Sequence, residues 1–151
     1  MAYVWRAAPD EAETVATLLI EFRDWWGYSG PADDSFHRNV GDLIADPLTD
    51  FLLVAQEEGG EAVGVAQLRY RLGVWRDGDD AWLEDVYVRG EAQGKGLGRS
   101  LTEAAVELAR KRGAKRIQLD VEEENETARA VYDKAGFGVK GKRALFLQRD
   151  L

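Results

Sequence analysis

The chain has 151 residues, 28 Asp plus Glu against 20 Lys plus Arg, one His and no Cys. That length predicts one domain, residues 1–151, large enough to bury a core without disulfide or metal staples. Zero Cys excludes a disulfide scaffold, a Cys-ligated zinc site and a thiol nucleophile, and leaves His37 as the single imidazole for any Ser-His-Asp arrangement.

The charge is unevenly divided. Residues 1–90 hold 7 Arg, no Lys and 18 acidic residues, a net of −11, whereas residues 91–151 hold 13 basic and 10 acidic residues, a net of +3. The acidic total argues against a nucleic-acid-binding domain, which carries a dense basic patch. No run approaches the ~20 apolar residues of a membrane-spanning helix. Met1 to Arg6 lacks the basic and apolar regions of a secretory signal, so a cytoplasmic location and no membrane partner are expected.

In chain order, Tyr3 to Arg6 reads as a first strand. Pro9-Asp10-Glu11 opens a helix with acidic residues at the positive end of its dipole. Val15, Leu18, Leu19 and Phe22 form its buried stripe. Trp25-Trp26-Gly27-Tyr28-Ser29-Gly30-Pro31 reads as an aromatic loop, and Ser35 to Ala45 as a second helix. Phe51 to Gln56, Ala62 to Tyr70 and Ala81 to Val88 read as strands joined by turns near Gly59-Gly60 and Gly78, an antiparallel meander. Leu97 to Arg112 has a helical apolar face closed by Gly113. Arg116 to Val121 alternates as a strand, which makes a βαβ unit with a parallel pair. Asn125 caps a last helix through Ala135, ended by Gly136. Phe137 to Val139 and Arg143 to Gln148 read as final strands. The fold class is α/β (α+β), with a mixed, mostly antiparallel central sheet, flanking helices and one βαβ unit.

Gln93-Gly94-Lys95-Gly96-Leu97-Gly98 joins a strand to a helix. Glycines let a phosphate approach backbone N–H groups, the helix start adds unpaired donors, and Lys95 and Arg99 add positive charge. The string is neither a P-loop, which needs Gly-Lys-Ser/Thr, nor the Gly-x-Gly-x-x-Gly dinucleotide fingerprint. Either a pyrophosphate cradle or a plain Gly-rich turn fits the string alone.

Its neighbours add more. Gln93-x-x-Gly96-x-Gly98 resembles the Gln/Arg-x-x-Gly-x-Gly/Ala signature of the GCN5-related N-acetyltransferase (GNAT) superfamily. The strand Leu83-Glu84-Asp85-Val86-Tyr87-Val88 is similar to the one before that loop, and Asn125 followed by Tyr132 and Gly136-Phe137 resembles a second marker. Leu-Glu-Asp-x-aromatic-Val resembles the spermidine/spermine and thialysine branch, although that branch usually has Arg where Gln93 stands. The resemblance implies a GNAT-like single domain that moves acetyl from acetyl-CoA, with no metal, to a small-molecule primary amine. Acetyl-CoA would lie on Val86, Tyr87, Val88, Gln93, Gly94, Lys95, Gly96, Leu97, Gly98, Arg99, Asn125 and Tyr132.

Direct attack needs a deprotonated amine, a positioned carbonyl and a stabilised leaving thiolate. Glu84 is the leading base, Asp85 the second choice unless a bulge turns it, and Tyr132 the acid. Trp25, Trp26 and Tyr28, with Glu84 and Asp85, are the candidate acceptor site, favouring a polyamine, diamine or basic amino acid. Aminoglycosides, protein N-termini and a non-catalytic acetyl-CoA sensor are the alternatives, and a homodimer is expected by analogy.

Overall fold

The computed structural model describes residues 1–141 and 143–151. Five strands, β1 (Tyr3–Arg6), β2 (Thr49–Ala55), β3 (Gly64–Gly73), β4 (Gly78–Val88) and β5 (Arg116–Gln118), lie in one sheet in that spatial order. The first three pairs are antiparallel and β4–β5 is parallel, as a strand–helix–strand crossover requires. The α/β expectation and the meander therefore hold.

Helices α1 (Ala12–Trp26) and α2 (Asp33–Ala45) cover one face, and α3 (Leu97–Lys111) with α4 (Glu126–Lys134) covers the other. Strand β2 is buried at every position, which explains its unbroken apolar run from Phe51 to Ala55. Alternation along the neighbouring strands sends Leu68, Leu83 and Val88 to the α3 face and Val65 and Tyr87 to the α1–α2 face.

Three expectations change. Trp25 and Trp26 are the last turn of α1, not a loop. The helix ends only at Gly27, whose φ of +83° makes a left-handed cap with its N–H on Arg23 and Asp24 carbonyls. Strand β5 stops at Gln118 instead of Val121. The last two strands do not form: Phe137–Val139 and Arg143–Gln148 have no regular structure, and Leu145, Phe146 and Leu147 are exposed. A three-residue β5 offers too short an edge to template them.

Candidate active site

The site begins where β4 and β5 part. Their pairing covers only Asp80–Arg116, Ala81–Ile117 and Trp82–Gln118. The first pair is clamped by two guanidinium–carboxylate hydrogen bonds of 2.8 Å. Two residues further on, the same register would set Glu84 beside Asp120, and like charges side by side disfavour pairing. On its other side β4 slips register against β3: Leu68 faces Leu83, Gln67 faces Asp85, and Glu84 has no partner. Glu84 is thus the extra residue of a β-bulge. Bulge and repulsion together leave the β4 edge from Leu83 to Val88 open.

The phase of the ladder decides which backbone groups face that opening. The Arg89 N–H donates to the Val63 carbonyl, so Tyr87, two residues earlier, also turns its backbone to β3. Val86 and Val88 therefore turn theirs outward, as a pantetheine-type amide chain needs. The Val88 carbonyl already accepts from Gln93 Nε2 at 2.8 Å, which ties the loop to the strand end. Tyr87 differs from the two valines: its backbone belongs to the ladder with β3 and its ring stacks on Phe22 at 5.1 Å.

At the strand's end lies the cradle. Gly94 and Gly96 have φ of +76° and +80°, which L side chains adopt at a cost. Among the described residues no acceptor takes the N–H groups of residues 94–99. The last three of these open α3, so unpaired donors and the positive end of the helix dipole occur together in this loop. The Leu97 side chain is buried in the α3-face core, which leaves only its amide for a ligand. Two charges are less free than expected: Lys95 Nζ donates to Gln56 at 2.9 Å, and Arg99 turns up the helix to Glu103 at 2.7 Å.

At the bulge the electrostatics reverse. Burial, with the charges of Glu84 and Asp120 behind it, pushes Asp85 from its usual 3.8 up to about 6. Burial also raises Glu84, and Asp120 adds to this, while Arg69 and Trp82 pull it back. The Tyr132 phenol on α4 is raised by burial, then by the Asp85 and Asp120 carboxylates. Asp120 is the residue the sequence reading missed. Its signal was the parallel register, which carries Trp82–Gln118 forward to Glu84–Asp120. Asn125 caps α4, its Oδ1 accepting from the Ala128 N–H at 3.1 Å, so that oxygen has a structural duty.

The α1–α2 face supplies an aromatic ladder. Phe22 stacks on Trp26 at 6.0 Å, Trp25 on Trp26 at 5.4 Å, and Tyr28 meets Trp26 edge-on at 6.4 Å. The sequence-derived acceptor residues Trp25, Trp26 and Tyr28 thus form one cluster, joined to β4 through Phe22 and Tyr87. His37 is exposed on α2, and Trp75 is exposed at the β3–β4 hairpin tip.

Residues 12–137 match the family model described as the acetyltransferase (GNAT) family. The chain is 43% identical over 138 residues to a mycothiol acetyltransferase of Rhodococcus jostii (strain RHA1), covering 89% of this chain and 44% of the relative. It is 31% identical over 110 residues to a Bacillus subtilis (strain 168) protein provisionally named a ribosomal protein bS18-alanine N-acetyltransferase, covering 73% and 66%. In both cases the match spans less than two thirds of the relative's own length. A crystal structure from Arthrobacter sp. FB24, provisionally named an acetyltransferase, superposes with a TM-score of 0.86 at 31% identity, covering 99% of this chain and 96% of that one.

Proposed function

The chain belongs to the acetyltransferase (GNAT) family, and we propose that it transfers acetyl from acetyl-CoA to a primary amine by direct attack in a ternary complex. One observation carries the reading. The donor cradle at Gly94–Gly98 and the pair of raised carboxylates at Glu84–Asp85 lie at opposite ends of the same unpaired strand edge. A CoA pyrophosphate in the cradle would run its pantetheine arm along Val86 toward the carboxylates. The family's acetyl-CoA supplies the electrophile; the protein's residues position it and handle protons.

Asp85 is the base in this reading, and Glu84, exposed in the bulge, draws in the ammonium. Sequence alone ranked them the other way, since only the bulge leaves Glu84 exposed and Asp85 half-buried. A carboxylate near pH 6 lies about four units below a free ammonium, near 10.4. It therefore takes its proton from the far more acidic nitrogen formed once the amine has attacked. Tyr132 holds the departing thiolate. A phenol above its ordinary ~10 loses a proton to a thiolate of ~8.5 only at a cost above about 2 kcal/mol, so its main contribution is a hydrogen bond.

Three carboxylates, Glu84, Asp85 and Asp120, favour an acceptor that arrives as a cation. Diamines and basic amino acids fit that requirement, but the relatives carry mycothiol and ribosomal-protein names and give the diamine branch no support. The test is calorimetry with acetyl-CoA, followed by thiol release with an amine panel. Binding with amine-dependent thiol release is expected. Binding without release from any amine would leave a non-catalytic sensor in its place.

A further inference from the structure

Residue pairing across β2, β3 and β4 lays out the α1–α2 face of the sheet in rows. Leu53–Val65–Tyr87 form one row, Phe51–Gln67–Asp85 the next and Thr49–Arg69–Trp82 the third. Phe51, Leu53, Val65 and Tyr87 belong to the core under α1 and α2, which fixes the face. The first row is apolar and covered. The third is exposed at Arg69, which leans to Asp46 at 3.7 Å. Cover gives out along the middle row, which starts at buried Phe51 and ends at the half-buried Asp85 of the open β4 edge.

Gln67 stands between those two. It is only 7% exposed, and a carboxamide carried that far inward costs free energy unless something bonds to it. Gln56 and Gln93 have partners, Lys95 and the Val88 carbonyl. Among the described residues the Gln67 side chain has none, although no side-chain nitrogen or oxygen sealed from solvent goes unpaired. The little exposure Gln67 keeps therefore includes both ends of its amide. Asp85 is its direct cross-strand partner, with Cβ atoms roughly 5 Å apart. The two polar groups do not bond each other, which leaves both for a third.

We propose that Gln67 holds the acceptor nitrogen, its Oε1 accepting one N–H while Asp85 accepts the other, and that this pair selects primary amines. The premise is the acetyl transfer proposed above for the β4–β5 opening. With no partner in the protein, either end of the Gln67 amide can face the nitrogen, and an N–H selects the oxygen.

The proton count calls for two such acceptors. An ammonium that has given one proton to water keeps two N–H bonds and a lone pair. Holding both N–H bonds leaves only the lone pair free to turn to the thioester. That pair forms the C–N bond, and the C–S bond breaks with its electrons on sulfur. Asp85 takes one proton from the nitrogen so formed, and the other stays on Gln67 as the N–H of the product amide. A secondary amine has a single N–H. Given to Asp85, it sets an alkyl group against the Gln67 oxygen and leaves that oxygen buried and unpaired.

The test pairs butylamine, benzylamine and Nα-acetyl-lysine with their counterparts methylated on the reacting nitrogen. Thiol release from acetyl-CoA is followed in the wild type, Gln67→Met and Gln67→Glu. The wild type should prefer primary amines about tenfold or more in kcat/KM. Gln67→Met keeps the length of the side chain but offers no accepting oxygen. Its preference should fall to about twofold or less through loss of the primary amine, with the acetyl-CoA KM unmoved and Tm not lowered. Gln67→Glu retains an accepting oxygen and should retain the preference. A wild type that treats primary and methylated amines alike overturns the proposal without any variant. So does Gln67→Met with the wild-type preference, and in both cases the transfer reading stands. Release from no primary amine overturns the transfer reading and this proposal with it.

Discussion

Asp50 on β2 and Asp85 on β4 are both sheltered aspartates in one sheet, and they are treated oppositely. Asp50 has a fully buried side chain surrounded by donors: Arg6 Nε at 2.6 Å, Tyr70 Oη at 2.9 Å and Arg112 Nη1 at 3.2 Å. Arg112 also lies over the Tyr70 ring at 4.3 Å, and burial with the Asp50 contact drives the Tyr70 phenol up. This knot joins β1, β2, β3 and the end of α3. No protein donor among the described residues reaches Asp85. Its neighbours Glu84 and Asp120 are carboxylates, and the β4–β5 pairing has ended before it, at Trp82–Gln118. One aspartate is satisfied and holds the fold; the other is left wanting a proton, which is what a base needs.

Exchanging each for the neutral amide should separate the two most sharply. Asp85→Asn is expected to lower kcat by about 10²- to 10³-fold, the range for a lost general base. It should also stabilise the protein at neutral pH. The raised pKa means the folded state holds the Asp85 proton more tightly than the unfolded state. That contribution to stability is complete below about pH 4 and is lost as pH rises through about 6. Removing the group therefore gains roughly 2–3 kcal/mol at pH 7 and nothing at pH 3, measurable by urea unfolding at both values. Asp50→Asn should do the reverse, costing about 3 kcal/mol by leaving two arginines without their anion, with kcat of the folded enzyme little changed. If both variants lose stability alike, the contrast is false.

A smaller effect tests the coupling inside the open site. Glu84→Gln removes a charge that holds the Asp85 pKa up. The acidic limb of the kcat profile should move to lower pH while kcat at its plateau falls about tenfold or less. A loss as large as that of Asp85→Asn would make Glu84 the base.

Much of this was legible in the sequence, for identifiable reasons. The β1–β4 meander and α3 follow from local periodicity, and the Gly94–Gly98 cradle from a short string whose glycines need positive φ. The order of Glu84 and Asp85 was not legible, because a one-residue bulge leaves no local mark in Leu-Glu-Asp-Val. Asp120 was missed because its role depends on register across a 36-residue separation. Trp25 and Trp26 were assigned to a loop because the glycines that follow weighed more than the helix-compatible tryptophans themselves. Val139 and Leu145–Leu147 misled in the other direction: strand-like composition cannot make a strand without an edge to join.

The finest test concerns what holds the acceptor side in register with β4. Arg89 follows the strand directly and forks onto Glu21 of α1, Nε and Nη2 each 2.8 Å from a carboxylate oxygen, with Glu61 at 2.8 Å as a third contact. Four residues later comes Gln93, so chain proximity predicts that losing Arg89 disturbs acetyl-CoA. The geometry predicts otherwise. The cradle has its own anchors, Gln93 on the Val88 carbonyl and Lys95 on Gln56, and α3 is packed into the other core. Glu21 adjoins Phe22, the foot of the aromatic ladder, so the fork sets α1 against β4. A lysine cannot make two parallel bonds to one carboxylate. Arg89→Lys should therefore raise the acceptor KM about three- to fivefold, leave the acetyl-CoA KM and the acidic limb of the pH profile unmoved, and alter the near-UV circular dichroism of the stacked tryptophans. An effect confined to acetyl-CoA would mean that α1 is fixed by its apolar face alone, and that the charged fork belongs to the donor side.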